Sequence, residues 1–213
     1  SKAARVLSVV GVGSDDLGRV SAVRRCLAGI LLAAAAPCRA PVAHALDEDP
    51  AALVRTLGGA DVQARYDAYR VLLEKHPPAA LPLLARDVPG MPLAAQTYGV
   101  SVVQGYPAAL ARPVYERWLA ADAPYVRLVA GCRLARAGDA KGTAAVVETL
   151  ARPDLDPGAL SMGLSHAYGL RDPAIVKAVR GLVRPDAPPA VLGPVLHVLQ
   201  TVGLLGPAKL AQR

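Results

Sequence analysis

The residue types that do chemistry in proteins are thinly spread along this chain. Its four histidines, His44, His76, His166 and His197, lie at least 31 residues apart, whereas a metal centre needs several Cys, His or carboxylate ligands at workable spacing. His166 sits in "SMGLSHAYG" with Ser161, Ser165 and Tyr168 close by. A hydroxyl and an imidazole on one helix, with no carboxylate to orient the base and no strained elbow turn, do not make an activated nucleophile. His76 follows Glu74 and Lys75, where a basic side chain suits a helix end. His197 lies in the very apolar "VLGPVLHVLQTVG", as a core or stack-end residue would. The chain has no H-E-x-x-H or phosphate loop, and "GVGSDDLG" lacks the G-x-G-x-x-G spacing. A general acid and base brought together from different helices stay open, because sequence alone does not show convergence. The expectation is therefore no catalytic residue, no metal ligand and no cofactor.

Cysteine chemistry is equally sparse. Cys26 and Cys38 belong to the front of the chain, which leaves Cys132 alone in "RLVAGCRLARAG". Without a neighbouring cysteine or histidine it reads as a small buried hydrophobe.

What remains is the chemistry of surfaces. Tyr66, Tyr69, Tyr98, Tyr106, Tyr115, Trp118, Tyr125 and Tyr168 recur along a chain that has no phenylalanine. Pointing outward from one layer of helices, they would line a strip suited to gripping a peptide or a flat apolar molecule. Pointing inward, they fill the core. The outward reading makes Trp118 an exposed anchor and gives Trp118, Tyr115, Arg117, Arg127 and Tyr125 as the binding residues. The arginines Arg112, Arg117, Arg127, Arg133 and Arg136 could instead build a basic groove, and their directions would decide. Net charge argues against nucleic acid. Of the formal +7, residues 1–45 hold +4, and residues 46–213 are nearly balanced at 18 basic to 15 acidic groups.

These side chains must be positioned by helices. Alanine, leucine and valine dominate, which suits closely packed helices better than a sandwich or barrel. From Pro50 onward, apolar-periodic stretches alternate with short breaks in pairs: 50–59 with 60–76, 78–90 with 91–106, 107–122 with 123–138, 139–154 with 155–169, and 170–186 with 187–203. The steps Ala52, Ala80, Ala111, Ala144 and Ile175 are spaced 28, 31, 33 and 31 residues apart, the mark of an array of two-helix units. Because no unit can bury its apolar face alone, neighbours must stack. In 60–76, Val62, Tyr66, Tyr69 and Leu73 form one stripe, with Arg65, Asp67, Arg70 and Glu74 off it. Gly58-Gly59, Gly90, Gly138 and Gly169 mark stops, and Asp61, Asp122 and Asp172 mark starts.

The segment "PYVRLVAGCRLARAGDAKGTAAVVETL" resembles the HEAT repeat family, in particular the HEAT-like repeats of the phycobilisome-lyase type. Val126 and Arg127 match its Val-Arg step, Ala130 its small inward position, Leu134 its leucine, and Gly138-Asp139 its inter-repeat turn. The likeness spans roughly residues 50–203 and is degenerate in the second and fifth units, where Pro92, Pro188 and Pro194 depart from the pattern. It implies an all-α fold, a right-handed α-solenoid of about five antiparallel helix pairs. Such repeats serve in scaffolds, transport factors, lyase subunits, regulatory subunits and some DNA-repair enzymes, so fold analogy does not choose among them.

The front reads as targeting information. Residues 24–45, "RRCLAGILLAAAAPCRAPVAHA", give paired arginines, an apolar run and a small-X-small site at Ala43-His44-Ala45. The run of 11 residues at 26–36 is short of the roughly 20 that a membrane span needs, so no transmembrane span is expected. The alternative is that 26–36 is an ordinary buried helix. The division expected is thus a signal-like segment at 1–45 and a HEAT-like domain at 46–213. An exported product would work in a periplasm, outside the cell or in a thylakoid-lumen-like compartment, and an unprocessed one in the cytoplasm. The function expected is a protein-interaction or assembly module, an accessory subunit of an exported or membrane-associated complex. The alternatives are a HEAT-like enzyme or enzyme subunit, lyase-like or DNA-glycosylase-like, and binding to an anionic surface or nucleic acid.

Overall fold

Aspartate and proline punctuate the chain at the places where helices begin. Asp49, Asp61, Asp139, Asp156 and Asp172 each accept a hydrogen bond at Oδ from a free backbone N–H of the first turn, at 2.7 to 3.0 Å, which satisfies donors a helix leaves unpaired. Pro50, Pro124, Pro157, Pro173 and Pro189 occupy first-turn positions where a missing N–H costs little. Asp122 makes no such cap; Ala123 stands at the N-cap position, and the Asp122 carbonyl accepts from Arg152 instead.

A computed structural model of the protein describes residues 49–204. Among them are ten α-helices and no strand. They are α1 (Pro50–Leu57), α2 (Val62–Lys75), α3 (Ala80–Asp87), α4 (Leu93–Gly105), α5 (Ala108–Trp118), α6 (Pro124–Arg136), α7 (Ala140–Leu150), α8 (Pro157–Leu164), α9 (Pro173–Arg180) and α10 (Pro189–Thr201), with 3-10 turns at Val88–Gly90 and Ser165–Ala167. Each lies inside one of the ten segments expected from periodicity. The expected boundary near residue 46 and the targeting segment 24–45 fall outside the described residues. None of the described helices is long and apolar enough to cross a membrane.

Packing joins helices that are two apart in the chain. Among the even-numbered helices, α2 lies on α4, α4 on α6, α6 on α8 and α8 on α10; among the odd, α1 lies on α3, α3 on α5 and α7 on α9. The step from α5 to α7 is spanned by an ion pair, Arg112 Nη2 to Asp139 Oδ2 at 2.6 Å. The closest of all helix contacts is α6 against α7. It depends on two glycines, since a Cβ on Gly142 would stand 2.4 Å from the Ala135 nitrogen and 2.6 Å from the Gly131 oxygen. The turn between them holds Gly138 at φ +80°, a left-handed conformation that closes a helix end.

Helix α6 is apolar on nearly every side, and this makes it the spine. Val126, Val129, Ala130 and Leu134 join a core formed mainly by α1 to α5. Leu128 and Cys132 join a second core formed with α7 to α10. Cys132 is fully buried, and burial pushes its thiol up to about 12, so it is held as an unreactive thiol.

The stripe expected on α2 is displaced. Arg65, Ala68 and Leu72 face the core, whereas Val62 is 67% and Tyr66 44% exposed. A charged residue can occupy the inward face because the Arg65 guanidinium donates to the Gly59 carbonyl, at 2.7 Å from Nη2. Val62 and Tyr66 are thereby turned outward, while Tyr69 and Leu73 stay half-buried.

Candidate functional site

The residues expected to bind do not form one surface. Trp118 is 0% exposed. Its indole N–H donates to the Ala85 carbonyl at 3.2 Å, and its ring meets Tyr115 edge-on at 6.0 Å. The exposed-anchor expectation is therefore corrected: Trp118 seals α5 against α3. The reason lies in the spacing of Ala111, Val114, Tyr115 and Trp118, which occupy one face of α5 and point inward together. In a core without phenylalanine, the one tryptophan is the largest filler. Tyr115 and Tyr125 are buried as well. Arg127 pairs with Glu148 of α7, and Arg117 is exposed on α5.

Three of the five arginines do converge. Arg112, Arg133 and Arg136 line a cavity of about 420 Å³ between α5 and α6, closed on one side by Gln104 and Tyr106 at the end of α4. Their states differ. Arg112 is fully engaged, Nε to Glu116 at 2.7 Å and Nη2 to Asp139, and these carboxylates hold its guanidinium firmly charged. Arg136 Nη2 donates to two carbonyls, His166 at 3.2 Å and Tyr168 at 2.9 Å. Arg133 has no hydrogen-bond partner for its enclosed Nε, and no carboxylate pairs with it among the described residues. The phenols beside them are neutral: burial raises Tyr115, against the pull of Arg133, and pushes Tyr106 up to about 12. Tyr106 donates its hydroxyl to the Pro77 carbonyl at 2.8 Å.

His166 sits at the edge of this cluster, half-buried, with Gln104 Nε2 at 3.4 Å from its Nδ1 and the Tyr125 ring edge-on at 6.1 Å. Burial, reinforced by Arg133 and Arg136, drives its pKa down to about 4. Ser165 gives its hydroxyl to the Met162 carbonyl and is not aimed at the imidazole. The neutral imidazole makes stability pH-dependent. Between pH 6.5 and 4 the unfolded chain takes up a proton at this position that the folded chain refuses, so stability is full above about 6.5 and falls as pH drops toward 4. The shift sets an upper bound of roughly 3 kcal/mol, and partial exposure of the ring reduces the expected loss to about 1–2 kcal/mol. Urea unfolding at pH 7 and pH 4.5 measures it. A His166→Gln variant is expected to lose less on acidification, and an unchanged pH dependence would contradict the assignment.

A second feature lies among the tyrosines that the outward reading named. Tyr66, Tyr69 and Tyr98 form a continuous aromatic run across α2 and α4, with ring centroids 6.2 and 4.9 Å apart. Val62 and Tyr66 are its exposed end, and Tyr69 and Tyr98 lie half-buried against the core. The signal was present in the spacing of Val62 and Tyr66, but it carried the same period as a core face. No group of three or more His, Cys, Asp or Glu side chains able to hold a metal ion occurs among the described residues.

Comparison of the chain with family models, with curated proteins and with solved structures gives no match.

Proposed function

We propose that the helical region is a protein-interaction or assembly module, its helices stacked as a right-handed α-solenoid of about five HEAT-like pairs, and that it takes hold of a protein partner along α2 and α4. The observation that carries this reading is the exposed pair Val62 and Tyr66, continued inward by the half-buried rings of Tyr69 and Tyr98. Large rings left partly exposed at ordered positions offer contact area at little entropic cost, which is how binding hot spots are built. The alternation of contacts between helices two apart supports the stacked arrangement. Charge supports a protein partner over nucleic acid. The basic cavity gathers three guanidinium groups, one of them already matched by two carboxylates, whereas a track for nucleic acid neutralises several successive phosphates. With the targeting reading of 24–45, the partner belongs to an exported or membrane-associated complex in which this chain is a peripheral accessory subunit.

The test is cross-linking of the native complex followed by mapping of the linked residues. Links should fall on α2 and α4. A Val62→Ser/Tyr66→Ser variant alters only exposed positions, so its stability should stay within about 0.5 kcal/mol of the parent. Its affinity for the mapped partner should fall by about 30-fold, the effect of losing a hot spot of roughly 2 kcal/mol. Equal affinity in parent and variant would remove this face from consideration.

A further inference from the structure

We propose that the cavity between α5 and α6 is a binding site for a small oxyanion, a carboxylate or phosphate group carried by a compact molecule, with Arg133 and Arg136 supplying the charge. The inference is independent of the aromatic strip on α2 and α4.

Four observations lead to it. The cavity, at about 420 Å³, lies within the range of small-ligand sites, roughly 300 to 1,000 Å³. Among the described residues no carboxylate lines its wall, and Glu116 and Asp139 are both held by Arg112. Arg136 gives its Nη2 to neutral carbonyls, and no carboxylate pairs with it among the described residues. Arg133 is the decisive residue: half-buried, it reaches the cavity wall from α6, and among the described residues its Nε has no hydrogen-bond partner and no carboxylate pairs with its guanidinium. An oxyanion entering the cavity would supply the charge that this guanidinium lacks. Guanidinium groups match carboxylate and phosphate in geometry as well as charge. The remaining wall is neutral: Tyr115, Gln104 and small alanines of α5 leave room for a compact apolar or planar body behind the anionic group.

The test titrates the full-length protein with inorganic phosphate and, separately, with citrate, at ionic strength held constant with sodium chloride. The Arg133 Nε–Hε resonance is followed by NMR, and the melting temperature is followed in parallel. Binding should saturate with a dissociation constant of roughly 1 mM or below for at least one of the two probes, and it should move the Arg133 signal. Which probe saturates distinguishes a phosphate source from a carboxylate source. Arg133→Met, which keeps the length of the side chain, should weaken that binding at least about tenfold, while Arg180→Met on the exposed end of α9 should leave it unchanged. Absence of saturation with both probes, saturation without movement of the Arg133 resonance, or an equal loss in the two variants would overturn the proposal. The resonance is read on the unaltered protein, so the test holds even where Arg133→Met fails to fold.

Discussion

Replacing Trp118 with alanine is expected to cost about 3–5 kcal/mol of stability, the range found for deleting a fully buried large aromatic. The indole lies entirely out of water and its N–H has a partner in Ala85 of α3, so the substitution removes packing, opens a void and leaves a carbonyl unpaired. Against a total of about 5–15 kcal/mol for a typical domain, that is a large fraction. Trp118→Phe keeps most of the packing and loses the hydrogen bond, and about 1–2 kcal/mol is expected from it. Chemical denaturation measures both, with the parent protein's single tryptophan as its own fluorescent reporter. A loss below about 1 kcal/mol for Trp118→Ala would mean that the ring does not hold α5 on α3. It would also return the exposed-anchor reading, in which truncation spares stability and harms binding.

The second large effect is expected at Gly142, where α7 crosses α6. Alanine is the better helix former by about 1 kcal/mol, so on propensity alone Gly142→Ala should stabilise. Sterics reverse the sign. The new methyl would press on backbone atoms of Ala135 and Gly131 at 2.4 and 2.6 Å, and backbone cannot rotate aside as a side chain can. Overpacking of this kind costs about 1–3 kcal/mol and occasionally more, so we expect a net loss of about 2 kcal/mol or greater. Gly90→Ala is the internal control. It lies in the 3-10 turn Val88–Gly90 with nothing within 4 Å of the added methyl, and by narrowing the unfolded ensemble it should stabilise by about 0.4–1 kcal/mol. Thermal unfolding of the two variants beside the parent decides the matter; a gain at both positions would show that α6 and α7 are not in close contact.

Helix positions were legible because their signals are local. The Asp61 and Asp172 caps, the Gly58 and Gly138 stops and the recurrence near 31 residues each depend on a few neighbouring residues. The direction of side chains was less legible. On α2 the stripe through Val62 and Tyr66 and the stripe through Arg65, Ala68 and Leu72 have the same period, and the choice fell to a hydrogen bond from Arg65 to Gly59 that no periodicity encodes. On α6 the expected inward position Ala130 is buried with Val126, Val129 and Leu134 in one core, but Leu128 is buried with Cys132 in a second, because apolar residues run nearly all round the helix.

The sequence by itself determined the ten short helices of residues 49–204, nine of them beginning at aspartate or proline, because capping and periodicity act within a turn or two of the chain. Only the tertiary structure decided that Trp118 is sealed inside, that Tyr66 stands outside, and that Arg112, Arg133 and Arg136 meet around one cavity. Those outcomes depend on which residues from separate helices become neighbours. That is fixed by packing and by the partners available to each buried polar group, neither of which is written in the spacing along a single segment.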